Sequence, residues 1–348
     1  MNIQELVKKK SEWLKGTGPE SNIVISSRVR LARNFQGYVF LNRAKPEDKE
    51  VILEKSRELI ESYKLTKKIN FIKMANLSEM DRLVLVERHL MSPEHMKSPQ
   101  YKALAFDDRE IVSIMICEED HLRTQVLQSG FNLTQAWTII DEIDNEFSQK
   151  EAFAFSPQLG YLTACPTNTG TGLRGSVMIH LPALSLTNQV GKIYQAISKL
   201  GLTMRGFYGE GTEASGDFYQ ISNQVTLGRT EVDLLENIEK IVKKIITRES
   251  ATRNMLLSKN KSELQDKVWR AYGILNSARI ISSKEALTRL SIIRLGIDLG
   301  IVNNIGMEAV NDLFIFTQPA HLQKIEGKLL TAQERDAKRA ALIREKLK

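Results

Sequence analysis

The chain is 348 residues long, 42% hydrophobic and 26% charged, the proportions of an ordinary soluble protein with room for a large core and more than one domain. Its net charge of +7 favours anionic partners such as nucleotide, phosphorylated protein or nucleic acid, while apolar runs as short as Ile114 to Cys117 argue against a bilayer span and for the cytoplasm. Two cysteines, Cys117 and Cys165, lie in separate segments without metal-ligand spacing, so neither a structural disulfide nor a protein-bound metal is expected.

In chain order, the segment up to about Leu14 predicts a helix and Gly16-Thr17-Gly18-Pro19 a break. Ile23 to Val29 predicts a strand running into Arg28, Arg30 and Arg33, and on an extended backbone Arg28 and Arg30 share a face. Pro46 to Tyr63 and Leu77 to Leu90 predict helices, the first with a proline near its start and Val51, Ile52, Leu59 and Ile60 on one stripe. His89 closes the second, where a helix-end histidine is the plain reading. Glu110 to Cys117 is the clearest strand, and it delivers Glu118, Glu119, Asp120, His121 and Arg123 at its C-terminal end. Three acids there also suit the N-terminus of a following helix. Leu133 to Phe147 predicts a helix, Val177 to Ile179 a buried strand, Val190 to Leu200 a helix ended by Gly201, and Phe218 to Leu227 a strand. Between the last two, Arg205 to Gly216 is glycine-rich with little to bury past Tyr208, the composition of a mobile lid. Leu234, Leu235, Ile238, Ile241, Val242 and Ile245 recur at helical spacing, predicting an amphipathic helix from Glu231 to about Leu257. Every later segment reads helical, so a boundary is expected near residue 255, dividing 1–255 from 256–348. The last helix opens on a capping box, Thr331 with Glu334.

The stretch from Cys165 to Leu181 stands out. It opens with a thiol before Pro166, passes Gly170, Gly172 and Gly175 with Arg174 among them, and enters an apolar strand. Glycines let a backbone approach an anion, and an arginine on such a turn can meet phosphate. The residues satisfy G-x-G-x-x-G, but that fingerprint needs a strand before it and a helix after it, and here a strand follows. Nor does Gly-Lys-Ser/Thr close it, so it is no Walker loop.

Together, Ser26-Ser27-Arg28-Val29-Arg30, Glu118-Glu119-Asp120-His121-Leu122-Arg123, Cys165-Pro166-Thr167-Asn168 with Gly170 to Arg174, and Arg205-Gly206 before a flexible loop resemble the guanidino phosphotransferases, the creatine and arginine kinase family. The resemblance covers roughly residues 22 to 255. It implies an α+β fold, with an antiparallel-sheet catalytic domain flanked by helices and, here, a helical C-terminal domain. Phosphagen kinases carry a helical domain ahead of the Ser-Ser-Arg motif, whereas this chain has a short lead and an added C-terminal region. That arrangement resembles the bacterial protein-arginine kinases of the McsB type, as do Tyr208-Gly209-Glu210 and Arg335-Asp336-Ala337-Lys338-Arg339-Ala340.

The resemblance implies ATP as phosphoryl donor, with Mg2+ held chiefly by nucleotide and water. It assigns nucleotide contacts to Ser26 through Arg30, His89, Arg123, Arg174, Gly175, Ser176, Val177, Met178, and Arg205 with Gly206, Phe207, Tyr208 and Gly209. It implies protein substrates with accessible arginines, an McsA-like activator, a Clp chaperone–protease downstream, and a homodimer or higher oligomer. Arg335, Asp336, Arg339 and Ala340 would form a second site for phosphoarginine. Thr169 and Gly175 depart from the family pattern, where a larger apolar residue and an alanine are expected.

The chemistry can be argued independently. A guanidinium stays protonated and is a poor nucleophile, so an enzyme that phosphorylates it must orient one nitrogen and remove a proton. Two carboxylates suit that planar fork, and Glu119 and Glu210 are the candidates, with Glu118 the residue most easily confused with Glu119. Arg28, Arg30, Arg123, Arg174 and Arg205 would clamp a triphosphate whose transferring group stays anionic. Cys165 would lie near the guanidinium as a thiolate if surrounding positive charge lowers its pKa, or serve as a small packing residue. Rival readings are a kinase for a small free guanidine and a catalytically weak phosphoarginine-binding regulator. A nucleic-acid binder is disfavoured, since no basic patch is interleaved with aromatics.

Overall fold

Polar and apolar residues alternate from Arg28 to Leu31 within the strand Val24–Arg33, and this strand, β1, is the spine of the structure. The computed structural model describes residues 3–62, 69–206 and 214–348. The other strands in order are β2 (Ile69–Lys73), β3 (Ala103–Asp107), β4 (Val112–Ile116), β5 (Leu122–Ser129), a small hairpin β6 (Phe155–Ser156) and β7 (Gly160–Tyr161), then β8 (Leu173–His180), β9 (Leu202–Gly206) and β10 (Phe218–Asn223). Eight of them form one sheet in the order β2-β3-β4-β5-β1-β8-β10-β9. Every pairing in it is antiparallel. The fold is therefore the α+β, antiparallel-sheet arrangement expected.

One face of the sheet is a core. Val29 and Leu31 of β1, Val112, Ile114 and Ile116 of β4, Val126 of β5, Val177 and Ile179 of β8 and Ile221 of β10 pack there against the helices Pro46–Glu61, Leu133–Lys150 and Glu231–Lys259. The opposite face carries the polar half of the alternation in its middle. Ile25, Leu127, Met178 and Phe218 at one side of that face meet the C-terminal helices in a second core. Leu104, Phe106 and Met115 meet the N-terminal Ile3, Leu6 and Val7 in a third.

Several expectations are corrected. The opening helix is only Ile3–Leu6 and a single turn at Glu12–Leu14, because Lys8 to Lys10 give it no apolar stripe to bury. No helix follows the acids after Cys117. The chain turns back into β5, whose Arg123 and Gln125 line a cavity and so broke the apolar alternation that would have marked a strand. The short strands β2, β3 and β9 were not foreseen either. The Glu231–Lys259 helix follows the expected course from Glu231 and ends at Asn260, before Lys261–Ser277. From there on, the described elements are helical as expected, the last capped by Thr331 and Glu334.

Gly175 is not in a turn but in the middle of β8. A Cβ there would lie 2.8 Å from Ile238 Cδ1 and 2.9 Å from Leu235 Cδ2, so the missing methyl lets the long helix seat closely on the sheet. Gly172 serves a different need, a positive φ of 65° with a Cβ position 2.6 Å from the Ala32 carbonyl oxygen. Its freedom is spent against β1, not against an anion. Gly172→Ala is expected to lower stability by about 1–2 kcal/mol from backbone conformation alone, plus the clash. Chemical denaturation checks this, and an unchanged midpoint would refute it.

Candidate active site

Period-two alternation puts Arg28 and Arg30 of β1, Arg123 of β5, Arg174 of β8 and Arg205 of β9 on the same polar face. All of them line one cavity of about 520 Å³. Arg30 lies directly opposite Arg174 in the β1–β8 register. Like charges placed so are mutually destabilising. Burial, followed by the charges of Arg123 and Arg174, lowers the Arg28 pKa to about 10. Burial, then Arg28, Arg123 and Arg174, pushes Arg30 well below the usual arginine value. Arg174 is lowered by burial first, then by Arg205 and Arg123. Neutral groups steady the cluster: Arg28 donates to Gln220 Oε1 at 3.1 Å, and Arg174 to Ser222 Oγ at 3.3 Å. The buried Nε–H groups of Arg30 and Arg174 have no acceptor among the described residues. Unmet donors beside concentrated positive charge fit a polyphosphate.

Arg33, the third arginine at the end of β1, points to the other face. It pairs with Asp144 at 2.7 Å and lies 3.5 Å from the centre of the Tyr161 ring. Parity separates the motif residues too. Ser26, Ser176 and Met178 share the arginine face beside His89, whereas Val29 and Val177 are in the core and Ser27 donates to the Gly130 carbonyl. The Val29, Val177, Ser27 and Gly175 side positions therefore do not open onto the cavity. His89 does, on left-handed backbone with φ 60° just past the helix Glu79–Glu87. Its ring meets Trp13 edge-on at 5.1 Å. Burial, then Arg28 and His321, drives its pKa down to about 3, so it is neutral at physiological pH.

The turn between β4 and β5 sorts three adjacent acids into three environments. The Cys117 N–H donates to the His121 carbonyl at 2.9 Å, closing the turn on a left-handed Cys117. Glu118 goes inward to Arg123 at 2.6 Å and accepts from the Ser92 hydroxyl at 2.5 Å. Burial pushes its pKa up, but Arg123 and Ser92 outweigh that and hold it below the ordinary carboxylate value. Asp120 turns back, accepting from Asn34 Nδ2 and the Ala164 N–H, each at 2.7 Å. His121 is fixed as well, its Nδ1 accepting from the Phe35 N–H at 3.0 Å and its N–H donating to Asn34 Oδ1 at 2.9 Å. Glu119 is left exposed, beside a second cavity of about 630 Å³. Burial on its inner side, then Asp120 and Glu118, raises its pKa, with Arg123 and the Cys165 thiol opposing. Cys165 thus neighbours Glu119, and its Sγ is 3.0 Å from Thr167 Oγ1. Cys117 is core, its pKa pushed up to about 12 by burial.

Asp120, Asn34 and Ser92 carry this geometry and were not singled out from sequence. Asp120 was visible only as part of the acidic run. Phe207, Tyr208, Gly209 and Glu210 lie outside the described residues, as does most of the segment read as a lid.

Residues 51–252 match the family described as ATP:guanido phosphotransferase, C-terminal catalytic domain, and residues 261–348 match the protein-arginine kinase McsB C-terminal domain. The chain is 50% identical over its whole length to the protein-arginine kinase of Halothermothrix orenii, covering 99% of that protein. It is 46% identical to that of Symbiobacterium thermophilum, again over 100% of this chain and 99% of the relative. The chain belongs to the protein-arginine kinase branch of the ATP:guanido phosphotransferase family. It is a phosphotransferase. Among solved structures, a duplicated taurocyamine kinase from Schistosoma mansoni with bound transition-state-analogue components superposes with a TM-score of 0.61 at 26% identity. That match covers 76% of this chain and 41% of the duplicated protein. A lombricine kinase shares the fold, with a TM-score of 0.59 over 72% of this chain and 75% of that one, at 24% identity.

In the C-terminal region of this kinase, the cluster of Arg335, Asp336, Arg339 and Ala340 is partly engaged with its own surroundings. Arg339 is buried, donating to the Thr317 carbonyl at 2.8 Å, the Ile281 carbonyl at 3.0 Å and Asp336 Oδ1 at 2.5 Å. Ala340 is core, and Arg335 donates to the Leu330 carbonyl at 2.8 Å. Thr317 is the C-cap of the helix Met307–Phe316, whose last carbonyls lack intrahelical donors, and Arg339 supplies one.

Glu118 and Glu119 should separate in stability. Glu118 has a lowered folded pKa, so its contribution is present above the ordinary carboxylate pKa and is lost as pH falls through the folded value. Glu119 has a raised folded pKa, so its ionised form costs stability at neutral pH. Glu118→Gln is expected to lose about 1–3 kcal/mol at pH 7, and Glu119→Gln to be unchanged or slightly more stable. Urea unfolding of both variants decides it; equal losses would overturn the assignment.

Proposed function

We propose that the chain transfers the γ-phosphoryl group of ATP to arginine side chains of proteins. The observation that carries this reading is a cluster of largely part-buried guanidinium groups, two of them with a buried donor unmet among the described residues, near an exposed carboxylate with a raised pKa. Arg28, Arg30, Arg123, Arg174 and Arg205 hold the polyphosphate and stabilise the charge on its equatorial oxygens, with neutral His89 beside the nucleotide. Mg2+, held chiefly by the nucleotide and water, would neutralise phosphate charge.

Glu119 orients the target guanidinium and takes its proton as the N–P bond forms and the bond from phosphorus to the β-phosphate's bridging oxygen breaks. Its raised pKa places it closer to the working pH than an ordinary carboxylate, so activity should fall with acid at a higher pH than such a group would give. Glu210 is proposed as the second carboxylate on the guanidinium. Cys165, beside Glu119, is proposed to pack against the same group.

The rest of the reading rests on family membership. The phosphoarginine mark would direct proteins to a Clp chaperone–protease, an McsA-like partner would activate the enzyme, and the chain would act in the cytoplasm as a homodimer or larger homo-oligomer. No helix among the described residues is long and apolar enough to cross a membrane. Residues 1–255 would form the catalytic domain and 256–348 the helical one. Arg335, Asp336, Arg339 and Ala340 are proposed to bind phosphoarginine, a ligand that would meet Arg335 and Asp336 first and reach Arg339 only by replacing its carbonyl partners.

Incubation with ATP and a mixed protein substrate should give acid-labile label on arginine, since a phosphoramidate hydrolyses readily in acid. Acid-stable label on hydroxyl residues would sink the reading. Glu119→Gln should lose turnover while still binding ATP, and Arg174→Ala should lose both, with a rate loss of about a hundredfold or more for removing one preorganised donor. For the second site, free phosphoarginine is titrated into a Glu119→Gln, Glu210→Gln protein with and without Asp336→Ala. Equal affinity in the two would leave Asp336 as surface charge.

A further inference from the structure

The cavity beside Glu119 is walled by Lys49 of the helix Pro46–Glu61, by Ser98, Tyr101 and Lys102 from the segment ahead of β3, and by the Glu118–Glu119 turn. Its volume, about 630 Å³, exceeds what a single arginine side chain fills. Ser98 and Tyr101 both sit on left-handed backbone, with φ 47° and 60°. Non-glycine residues take that conformation only where surrounding contacts enforce it. One enforcing contact is visible: Lys102 Nζ donates to the Lys97 carbonyl at 2.7 Å and the Glu94 carbonyl at 3.2 Å, tying the segment into a loop against the cavity.

This cavity carries charges of both signs. Glu119, next to the Glu118 that pairs with Arg123 of the arginine cluster, lines it together with Lys49 and Lys102. Burial lowers the Lys102 pKa first of all, Glu118 and Glu94 oppose it, and the charge of Lys49 adds a smaller push downward. The nearby carboxylates are engaged elsewhere. Glu118 is held by Arg123 and Ser92, Glu94 pairs with Lys97 at 2.8 Å, and among the described residues neither Lys49 nor Lys102 forms an ion pair. A ligand complementary to both parts presents a guanidinium to Glu119 and an anion to the lysines.

We propose that this cavity receives the polypeptide around the target arginine, and that Lys49, supported by Lys102, selects an aspartate or glutamate side chain adjoining that arginine. The proposal rests on the reading that Glu119 receives the guanidinium. Lysine ammonium groups left without carboxylates gain most from a partner that is itself desolvated on binding, which gives specificity more than affinity.

The test uses the full chain and peptides of one length, each with a single arginine flanked by aspartate, alanine or lysine, and scores phosphoarginine by mass spectrometry. The wild type is expected to favour the aspartate-flanked peptide over the lysine-flanked one about fivefold to tenfold in kcat/KM. Lys49→Ala should flatten the preference and Lys49→Glu reverse it, with the KM for ATP unchanged. Equal use of the peptides by the wild type, or a preference retained by Lys49→Glu, overturns the proposal alone, whereas no arginine labelling in any peptide overturns the parent reading too. Free arginine, whose α-carboxylate offers the same chemistry, is a further arm. If it is phosphorylated as well as the aspartate-flanked peptide, the lysines serve a small substrate and the polypeptide proposal falls.

Discussion

Crowding of positive charge on one face of a sheet is the constraint that the rest of this structure accommodates. Arg30 and Arg174 are cross-strand neighbours, and Arg28, Arg123 and Arg205 line the same cavity. Only one carboxylate, Glu118, is seen to pair directly with the group among the described residues. A fold with a few kcal/mol to spare tolerates such an arrangement only when other terms are strong, and here they are the apolar layer on the opposite face and the pairing of β1 on both edges. The arginines depend on the sheet for rigidity, and the sheet holds them where an anion, not a protein carboxylate, completes their pairing.

That division of labour explains the three acids between β4 and β5. Were all of them directed at the cavity, they would neutralise the arginines internally and compete with a polyphosphate. Instead Glu118 balances one arginine, Asp120 becomes a backbone and Asn34 acceptor that fixes the turn, and Glu119 is presented outward. Asp120 also ties Ala164 to the turn, which carries the neighbouring Cys165 to the same place as Glu119. Two segments distant in sequence are thereby brought to one edge of the arginine cavity.

The sequence is legible where local periodicity and chemistry coincide. Arg28 and Arg30 on one face of β1, the long apolar stripe of Glu231–Lys259 and the capping box at Thr331 follow from alternation, helical spacing and side-chain length. β5 was missed because cavity-facing Arg123 and Gln125 interrupt its apolar pattern, so function erased the signal that would have marked the strand. The glycines at 170, 172 and 175 suggested an anion cradle. Two of them instead meet backbone, the carbonyls of Thr226 and Ala32, and the third meets a helix, contacts that no local pattern encodes. Arg33 was grouped with the other arginines by proximity in sequence, although its odd spacing from Arg28 and Arg30 already placed it on the far face.

The C-terminal helices complete the wall of the arginine cavity as well as following it in the chain. Gln318 lines the cavity together with Glu87, and the Glu87 carboxylate accepts from the N–H groups of Ala320 and His321 at 2.7 and 2.9 Å, capping the helix Pro319–Glu326. The carbonyl of Thr317, the residue before Gln318, is the acceptor for Arg339. The Arg339 guanidinium and the cavity-lining Gln318 side chain are therefore joined through a single peptide link. A ligand that drew Arg339 away from Thr317 would release a helix-terminal carbonyl next to a cavity-lining residue, and that gives the two places a physical connection. Whether binding at one changes affinity at the other depends on this segment having a second stable arrangement, because coupling requires a two-state element that both ligands bias.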